Sequence, residues 1–388
     1  MAPARLLDLT RLVSRLGKGP MTGVDRVEYA YLDQFLRMDT LCLGLVRSAA
    51  GFLLLDRAAM TTLRDGGLDL TRNDLIGRIA WRRDPARGRA EAAMRRLAIA
   101  RCTKRGLARL LQRHLPSGSS YFNTGHANLD PRNLCQIRKA GLRIAVLVHD
   151  VIPLDHPAFA RPDTVEPFRR KMQAVAHHAD LVIHTTEATR AQTEAQLARL
   201  GRVPEGVTAN LGVPVTEPIV TDTPATPYFA CLGTIEPRKN HGFLLDLWAQ
   251  MPDPPGLLIL GGRGWSNAEV FSRLDALPPD SPIQERAGLS DGQIAFLLHG
   301  AQGLLFPSYA EGFGIPALEA AALGTPVVAA NLPVFQELLG EFAVYLEVTD
   351  SYSWMETIGR LCDASKTDRT GMVPPNWAEH FKHVLTRM

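Results

Sequence analysis

The sequence predicts an α/β protein made of two doubly wound domains that face each other across a cleft. Three observations lead there. The chain has 388 residues, more than a single hydrophobic core usually organises. Its second half alternates short apolar runs with helical stretches in strict order, the pattern of a parallel sheet covered on both faces. Between the halves, residues 215–227 read VTEPIVTDTPATP, rich in proline and threonine without apolar periodicity, as linkers are. The expected division is a first domain over 1–220, a linker at 221–227, a second domain over 228–365 and a closing helix over 366–388 that packs back on the first domain.

In chain order, an apolar run at 6–9 predicts a strand, the glycine-rich GKGPMTG a turn, and the pattern over 24–36 a helix. A basic helical region is expected to follow through residue 115. The stretches SSYFN, RIAVLVHD and DLVIHTT then read as buried strands, with helices over 165–176 and 188–200 between and after them. In the second half FACLG, LLILGG, IQERAG, GLLFPS and PVVAA are strand-like. Helices are expected at 242–251, 268–274, 291–300 and 315–323, with Ser290 or Asp291 as a cap for the third. WAEHFKHVLTRM reads as a last helix carrying Trp377 and Phe381 on one face. In such folds ligands bind beyond the carboxyl ends of the strands, so the cleft is the place to seek function.

Composition excludes several classes. Apolar residues make up 46% and charged residues 21%, which is ordinary for a globular chain, and the formal net charge of +3 demands no nucleic-acid partner. Cys42, Cys102, Cys135, Cys231 and Cys362 stand far apart, which speaks against a zinc site or a disulfide framework and for a reducing compartment. No run approaches the ~18 apolar residues of a spanning helix, and arginines interrupt the apolar stretch of the amino terminus as they would not in a signal peptide. Residues 78–113 hold twelve Lys or Arg against Asp84 and Glu91. That excess is either a solvated helical face or a patch that meets an anionic membrane.

The most informative stretch is PSYAEGFGIPALEAAALGTPVV, residues 307–328. A strand leads through a glycine-rich turn into a helix, whose first N–H groups lack partners and carry partial positive charge, a ready seat for phosphate. Glu311 lies in the turn and Glu319 inside the helix, eight residues on. One carboxylate can face a sugar and the other a ribose, since carboxylates accept well from vicinal hydroxyls. A second element, LGTIEPRKNHGFLL at 232–245, puts Arg238 and Lys239 after a strand. Fixed cations there would steady a leaving diphosphate as its charge grows.

Together these motifs resemble the retaining glycosyltransferases of family 4, which have the GT-B fold. The resemblance implies that Glu319 holds the nucleotide's ribose and that Glu311 contacts the donor sugar near the reacting carbon. It implies that the amides of Phe313, Gly314 and Ile315, after Gly312, meet phosphate or sugar oxygens. Lys239 matches the family's diphosphate lysine; Arg238 matches less closely, because many relatives carry an arginine where this chain has Thr234. By the same resemblance Gly233 follows the first strand of the donor domain, LLILGGRGW with Gly262 opens toward the nucleotide, and AGLSDGQI with Leu289 borders the base. In the first half, TGVDRV puts Gly23 opposite the phosphates, and VHDVIPLDHP puts His149 near the reacting sugar with Asp150 beside it. YFNTGHANL supplies Asn123 and His126 on the acceptor side. The pair His177–His178 reads as structural.

The function so implied is transfer of a hexose-type sugar from a nucleotide-sugar such as a GDP- or UDP-sugar to a glycan or lipid-linked acceptor. The setting would be bacterial surface or extracellular polysaccharide synthesis, with the enzyme cytoplasmic or peripheral on the inner face of the membrane. No cofactor or metal is expected, the two cations standing in for a divalent ion. The alternative is a nucleotide-sugar-binding protein of the same fold that has lost catalysis. A dinucleotide-dependent oxidoreductase is rejected, because GKGPMTG lacks the G-x-G-x-x-G spacing.

Overall fold

A computed structural model describes residues 3–19, 21–224, 227–364 and 370–388. Pro20 of the first glycine-rich turn, residues 225–226 of the expected linker and the expected boundary at 365–366 lie outside the described residues. The amino-terminal half contains β1 (Arg5–Asp8), α1 (Thr10–Arg15), α2 (Gly23–Arg37), β2 (Cys42–Ser48), β3 (Gly51–Leu55) and α3 (Arg57–Arg64). Next come α4 (Leu75–Ala80), α5 (Pro85–Leu97), β4 (Ala100–Cys102), α6 (Leu107–His114), β5 (Ser120–Asn123) and α7 (Pro131–Lys139). It closes with β6 (Arg143–Val148), α8 (Ile152–Asp155), α9 (Pro162–His178), β7 (Leu181–His184), α10 (Glu187–Leu200) and β8 (Glu205–Thr208). The second half contains β9 (Tyr228–Leu232), α11 (His241–Gln250), β10 (Gly256–Leu260), α12 (Ala268–Asp275), β11 (Ile283–Arg286) and α13 (Asp291–Gly300). It continues with β12 (Gly303–Phe306), α14 (Ile315–Ala322), β13 (Val327–Ala330), α15 (Pro333–Leu339), β14 (Ala343–Leu346), α16 (Ser351–Asp363) and α17 (Trp377–Leu385).

Among the described residues the strands form two sheets, ordered β4-β3-β2-β1-β5-β6-β7-β8 and β11-β10-β9-β12-β13-β14. The second sheet is parallel throughout. The first is parallel except at one edge, where β2, β3 and β4 run antiparallel. That edge corrects the expectation of one continuous basic helical region, since β2, β3 and β4 lie inside it. A further correction is α1, which stands between β1 and the glycine-rich turn. The inner parallel strands are buried on both faces, as their unbroken apolar runs require: five of the six residues of β6 and all five of β10 are buried.

Strand order reverses between β1 and β5 in the first sheet and between β9 and β12 in the second. Splayed loops leave a crevice at such points, and each sheet turns one toward the other. The chain crosses between the sheets over residues 209–224, which carry no regular structure. Ile219 N–H meets the Gly292 carbonyl, and Arg286 donates to the Asp222 carbonyl, so this crossing lies along the second domain.

Helix α17 then returns to the first domain. His380 and Tyr31 share a buried hydrogen bond of 2.8 Å, and the Phe381 ring packs edge-on to Tyr31 at 4.9 Å. Phe381 belongs to the same apolar cluster as residues of α2 and β5. Phe381→Ala is therefore expected to lower stability by about 3–4 kcal/mol, checked as a reduced urea midpoint with an unchanged m-value.

Candidate active site

Both crevices open on one cleft of about 670 Å³ between the domains. From the first domain Gly23, His149 and Asp150 line it; from the second come Gly233, Arg238, Lys239, Glu311, Gly312, Phe313, Gly314, Ile315 and Glu319. Gly262, Leu289, Asn123 and His126 do not line it.

The second domain's residues come from the two strands that flank its reversal. After β9 the chain makes a short 3₁₀ turn, Pro237–Lys239, and Asn240 takes a left-handed conformation (φ 56°) that swings it into α11. This turn holds Arg238 and Lys239 over the end of the sheet. After β12 the segment 307–314 brings Glu311 against them. Lys239 Nζ stands 2.5 Å from Glu311 Oε1 and Arg238 Nη1 2.9 Å from Oε2, so each carboxylate oxygen faces a cation. Arg238 also donates to the Ala310 carbonyl at 2.7 Å and to Glu236 at 2.7 Å. Lys239 lies over the Phe306 ring at 4.4 Å.

Burial alone would raise the Glu311 carboxyl, but Lys239 and then Arg238 outweigh it and hold it at about 2. Burial would lower the Arg238 guanidinium, yet Glu311 and Glu236 more than reverse that. Glu311 and Arg238 are therefore charged at neutral pH. Glu311 is thus less a free ligand than the anchor of two cations, with lone pairs left for sugar hydroxyls.

Gly314 caps α14 with φ 88°, a conformation that a side chain resists, and a Cβ there would meet the Phe335 ring at 2.7 Å. No side chain caps this helix end and its first turn carries no acid. Among the described residues nothing accepts from the N–H groups of Phe313, Gly314 or Ile315. Open amides on the cleft wall beside two cations make an anion seat.

Glu319 lies one helical turn further in, where burial lifts its carboxyl to about 7; Arg26 of α2 pulls it down and Asp291 pushes it up. Arg26 spans the domains, pairing with Asp291 at 2.6 Å and reaching Glu319 at 3.8 Å. Sequence reasoning missed Arg26, although it lies inside TGVDRV, because its partners are hundreds of residues away.

Across the cleft His149 ends β6. Its Nε2 stands 2.7 Å from the Thr124 carbonyl, an arrangement that assigns the proton to Nε2 and leaves Nδ1 as an acceptor. Burial lowers its pKa to about 4, the Thr124 carbonyl offsetting this in part, so the ring is neutral at working pH. Behind it the His126 ring packs at 5.2 Å and bonds the Leu147 carbonyl, and Asn123 is tied to the Tyr121 hydroxyl and the Ala127 carbonyl. These two brace the site from behind. Asp150 turns back on the Ile152 N–H.

The domains touch at Gly312. Its carbonyl accepts from the hydroxyls of Thr185 and Thr189 at 3.1 and 2.8 Å, a contact with no warning in the sequence. A Cβ on Gly312 would stand 2.7 Å from the His149 carbonyl oxygen and 2.9 Å from Asp150 Cβ. Gly312→Ala must push the two walls of the cleft apart and is expected to cost about 1–3 kcal/mol of stability, read as a lowered urea midpoint against the wild type.

Two facing doubly wound domains with their ligand residues at opposed reversals define the GT-B architecture. The solved structure of HepE from Anabaena, in complex with UDP and glucose, has that shape. It matches with a TM-score of 0.61 over 99% of this chain and 96% of that one, at 14% identity. A family model for glycosyl transferases group 1 matches residues 220–369, the stretch that holds β9 to α16 of the second domain. The serotype-specific mannosyltransferase WbdA of Escherichia coli is 29% identical over 245 residues, 56% of this chain and 30% of that protein. The O-antigen chain mannosyltransferase RfbU of Salmonella typhimurium is 33% identical over 138 residues, 34% of this chain and 37% of that protein. The chain thus spans less than a third of the length of the first curated relatives it matches.

Proposed function

We propose that the protein is a retaining glycosyltransferase of family 4 type. It would move a hexose-type sugar from a nucleotide-sugar, such as a GDP- or UDP-sugar, to a glycan or lipid-linked acceptor in bacterial surface polysaccharide synthesis. The observation that carries this reading is the meeting of Lys239, Arg238 and the open amino end of α14 around one cleft, with Glu311 and Glu319 on either side. A sugar diphosphate has that order of groups: hydroxyls, two phosphates, ribose. Polysaccharide mannosyltransferases among the relatives support the acceptor class and make mannose the first sugar to try.

Retention by double displacement needs a carboxylate free to attack the anomeric carbon. Glu311, clamped between Lys239 and Arg238, is a poor nucleophile. The reading is therefore front-face attack within an oxocarbenium-like ion pair, with the departing diphosphate taking the acceptor's proton. Lys239, Arg238 and the α14 amides absorb the negative charge freed at the leaving group, which supports a reaction without a divalent ion. His149, neutral, orients a hydroxyl through Nδ1. The setting proposed is the cytoplasmic face of the membrane.

The test is a thermal-shift panel of UDP, GDP, ADP and their sugars, followed by anomeric analysis of the product by NMR. The reading expects one nucleotide series to raise Tm and a product of unchanged anomeric configuration. Stabilisation without donor cleavage would favour the binding-protein alternative. No shift from any nucleotide, or an inverted product, would sink the proposal.

A further inference from the structure

Helix α4 exposes the residues that a short helix normally hides. Leu75, Ile76 and Ile79 are 72%, 40% and 60% accessible, and the one buried residue of the helix is Gly77. The helix rests on α5 through a backbone crossing, a Cβ on Gly77 falling 2.7 Å from the Gly88 carbonyl oxygen. Asp74 fixes this crossing, accepting from Gly77 N–H at 2.7 Å and from Arg95 at 2.6 and 2.8 Å. A firm anchor for a helix with an outward apolar face implies something that covers the face.

The surroundings say what. Of the twelve basic residues at 78–113, Arg95 is buried on Asp74 and Glu91, and Arg87 stacks on Trp81 at 4.1 Å, so these two serve the fold. Arg78, Arg82 and Arg83 stand exposed beside the apolar trio. Exposed Arg101 on edge strand β4, with Arg109 and Arg113 on α6, extends the positive charge around the sheet edge. The acids between residues 75 and 114 are Asp84, paired with Lys18, and Glu91, buried. Aliphatic side chains with arginines around them and no free acid match a bilayer of anionic phospholipid. On such a surface the trio would reach below the headgroups while the guanidiniums would stay at phosphate level.

We infer that α4 and its flanking arginines form a membrane-docking surface for anionic lipid. This rests on the transferase reading only for its purpose, which is to bring a lipid-linked acceptor to the cleft. Lys18, three residues before the cleft-lining Met21, pairs with Asp84 in the turn after α4.

The experiment is co-sedimentation of the full chain with vesicles of phosphatidylglycerol and phosphatidylcholine in equal parts, and of phosphatidylcholine alone. The wild type is expected to bind the mixed vesicles. Replacing Arg78, Arg82 and Arg83 together by alanine should lower partitioning about a hundredfold. Leu75→Asp with Ile79→Asp should lower it at least about tenfold. All five positions are exposed, and unchanged Tm values verify that both variants fold. Wild-type protein that stays in the supernatant, or variants that partition like the wild type, would overturn the inference. So would loss of self-association on sedimentation velocity as the sole effect, which would assign the face to a second copy of the chain. Failure of every nucleotide to raise Tm would count against the transferase reading alone, because partitioning is read without donor or acceptor.

Discussion

Lys239→Ala is expected to lower kcat by about 10²- to 10³-fold, the range for removing one fixed donor from a site of developing charge. The ammonium is held at 2.5 Å from Glu311 and is largely shielded from water, so its field acts where screening is weak. If it acts on the leaving diphosphate, kcat and kcat/KM fall together; if it only helps to bind the donor, KM alone rises. The fold should survive, because Arg238 still faces Glu311 at 2.9 Å. The cost is expected near 1–3 kcal/mol, below that of a carboxylate left with no cation. Steady-state kinetics with urea unfolding on the same preparation separates these outcomes. A kcat within about threefold of the wild type would remove Lys239 from the mechanism.

Glu319→Ala is expected to weaken nucleotide-sugar binding on the order of a hundredfold, by loss of the carboxylate proposed to accept from two ribose hydroxyls. The same residue should make binding depend on pH. Its folded carboxyl titrates at about 7, lifted by burial from the usual 4.5. The folded protein therefore holds a proton that the unfolded chain gives up. The carboxyl's contribution to stability is full below about 4.5 and is lost as pH rises through about 7, by up to about 3 kcal/mol. Nucleotide-sugar binding runs the other way, since it needs the ionised form: affinity should rise about tenfold from about pH 6 to about pH 8. A nucleotide-sugar is the right probe, because its diphosphate does not titrate in that range. Calorimetry across the range should give a flat profile for Glu319→Gln. An equally steep profile in that variant would place the titrating group elsewhere.

Much of the second domain was readable in the sequence. Strands β9, β10, β12 and β13 are buried on both faces, so each is a short apolar run, and α13 carries its own start signal. Ser290 caps α13 with Gln293 returning the bond, as the S-x-x-Q spacing foretells. The first domain was harder. Strands β2 and β3 escaped because CLGLVRS and GFLLL have no strict alternation, and periodicity alone cannot tell short apolar runs of that kind from helix. The turn between them, Ala49 and Ala50, has none of the Asn-Gly or Asp-Gly chemistry that marks a tight hairpin. The basic stretch misled in a different way: charge was counted, but burial decides which arginines are free, and Arg95 is not.

By itself the sequence determined the local chemistry: a strand, a glycine turn, a helix with an open amino end, two glutamates eight residues apart and a pair of cations after another strand. These are legible because spacing along a strand or helix fixes which groups share an end or a face. Only the tertiary structure decided what those groups meet. It set Glu311 between Lys239 and Arg238, brought Arg26 to Asp291 across the cleft, closed Thr185 and Thr189 on the Gly312 carbonyl, and put His126 and Asn123 behind the wall. Such partners lie far apart in the chain and answer to no period. They are chosen by the packing of two cores and the angle between them, which local patterns do not encode.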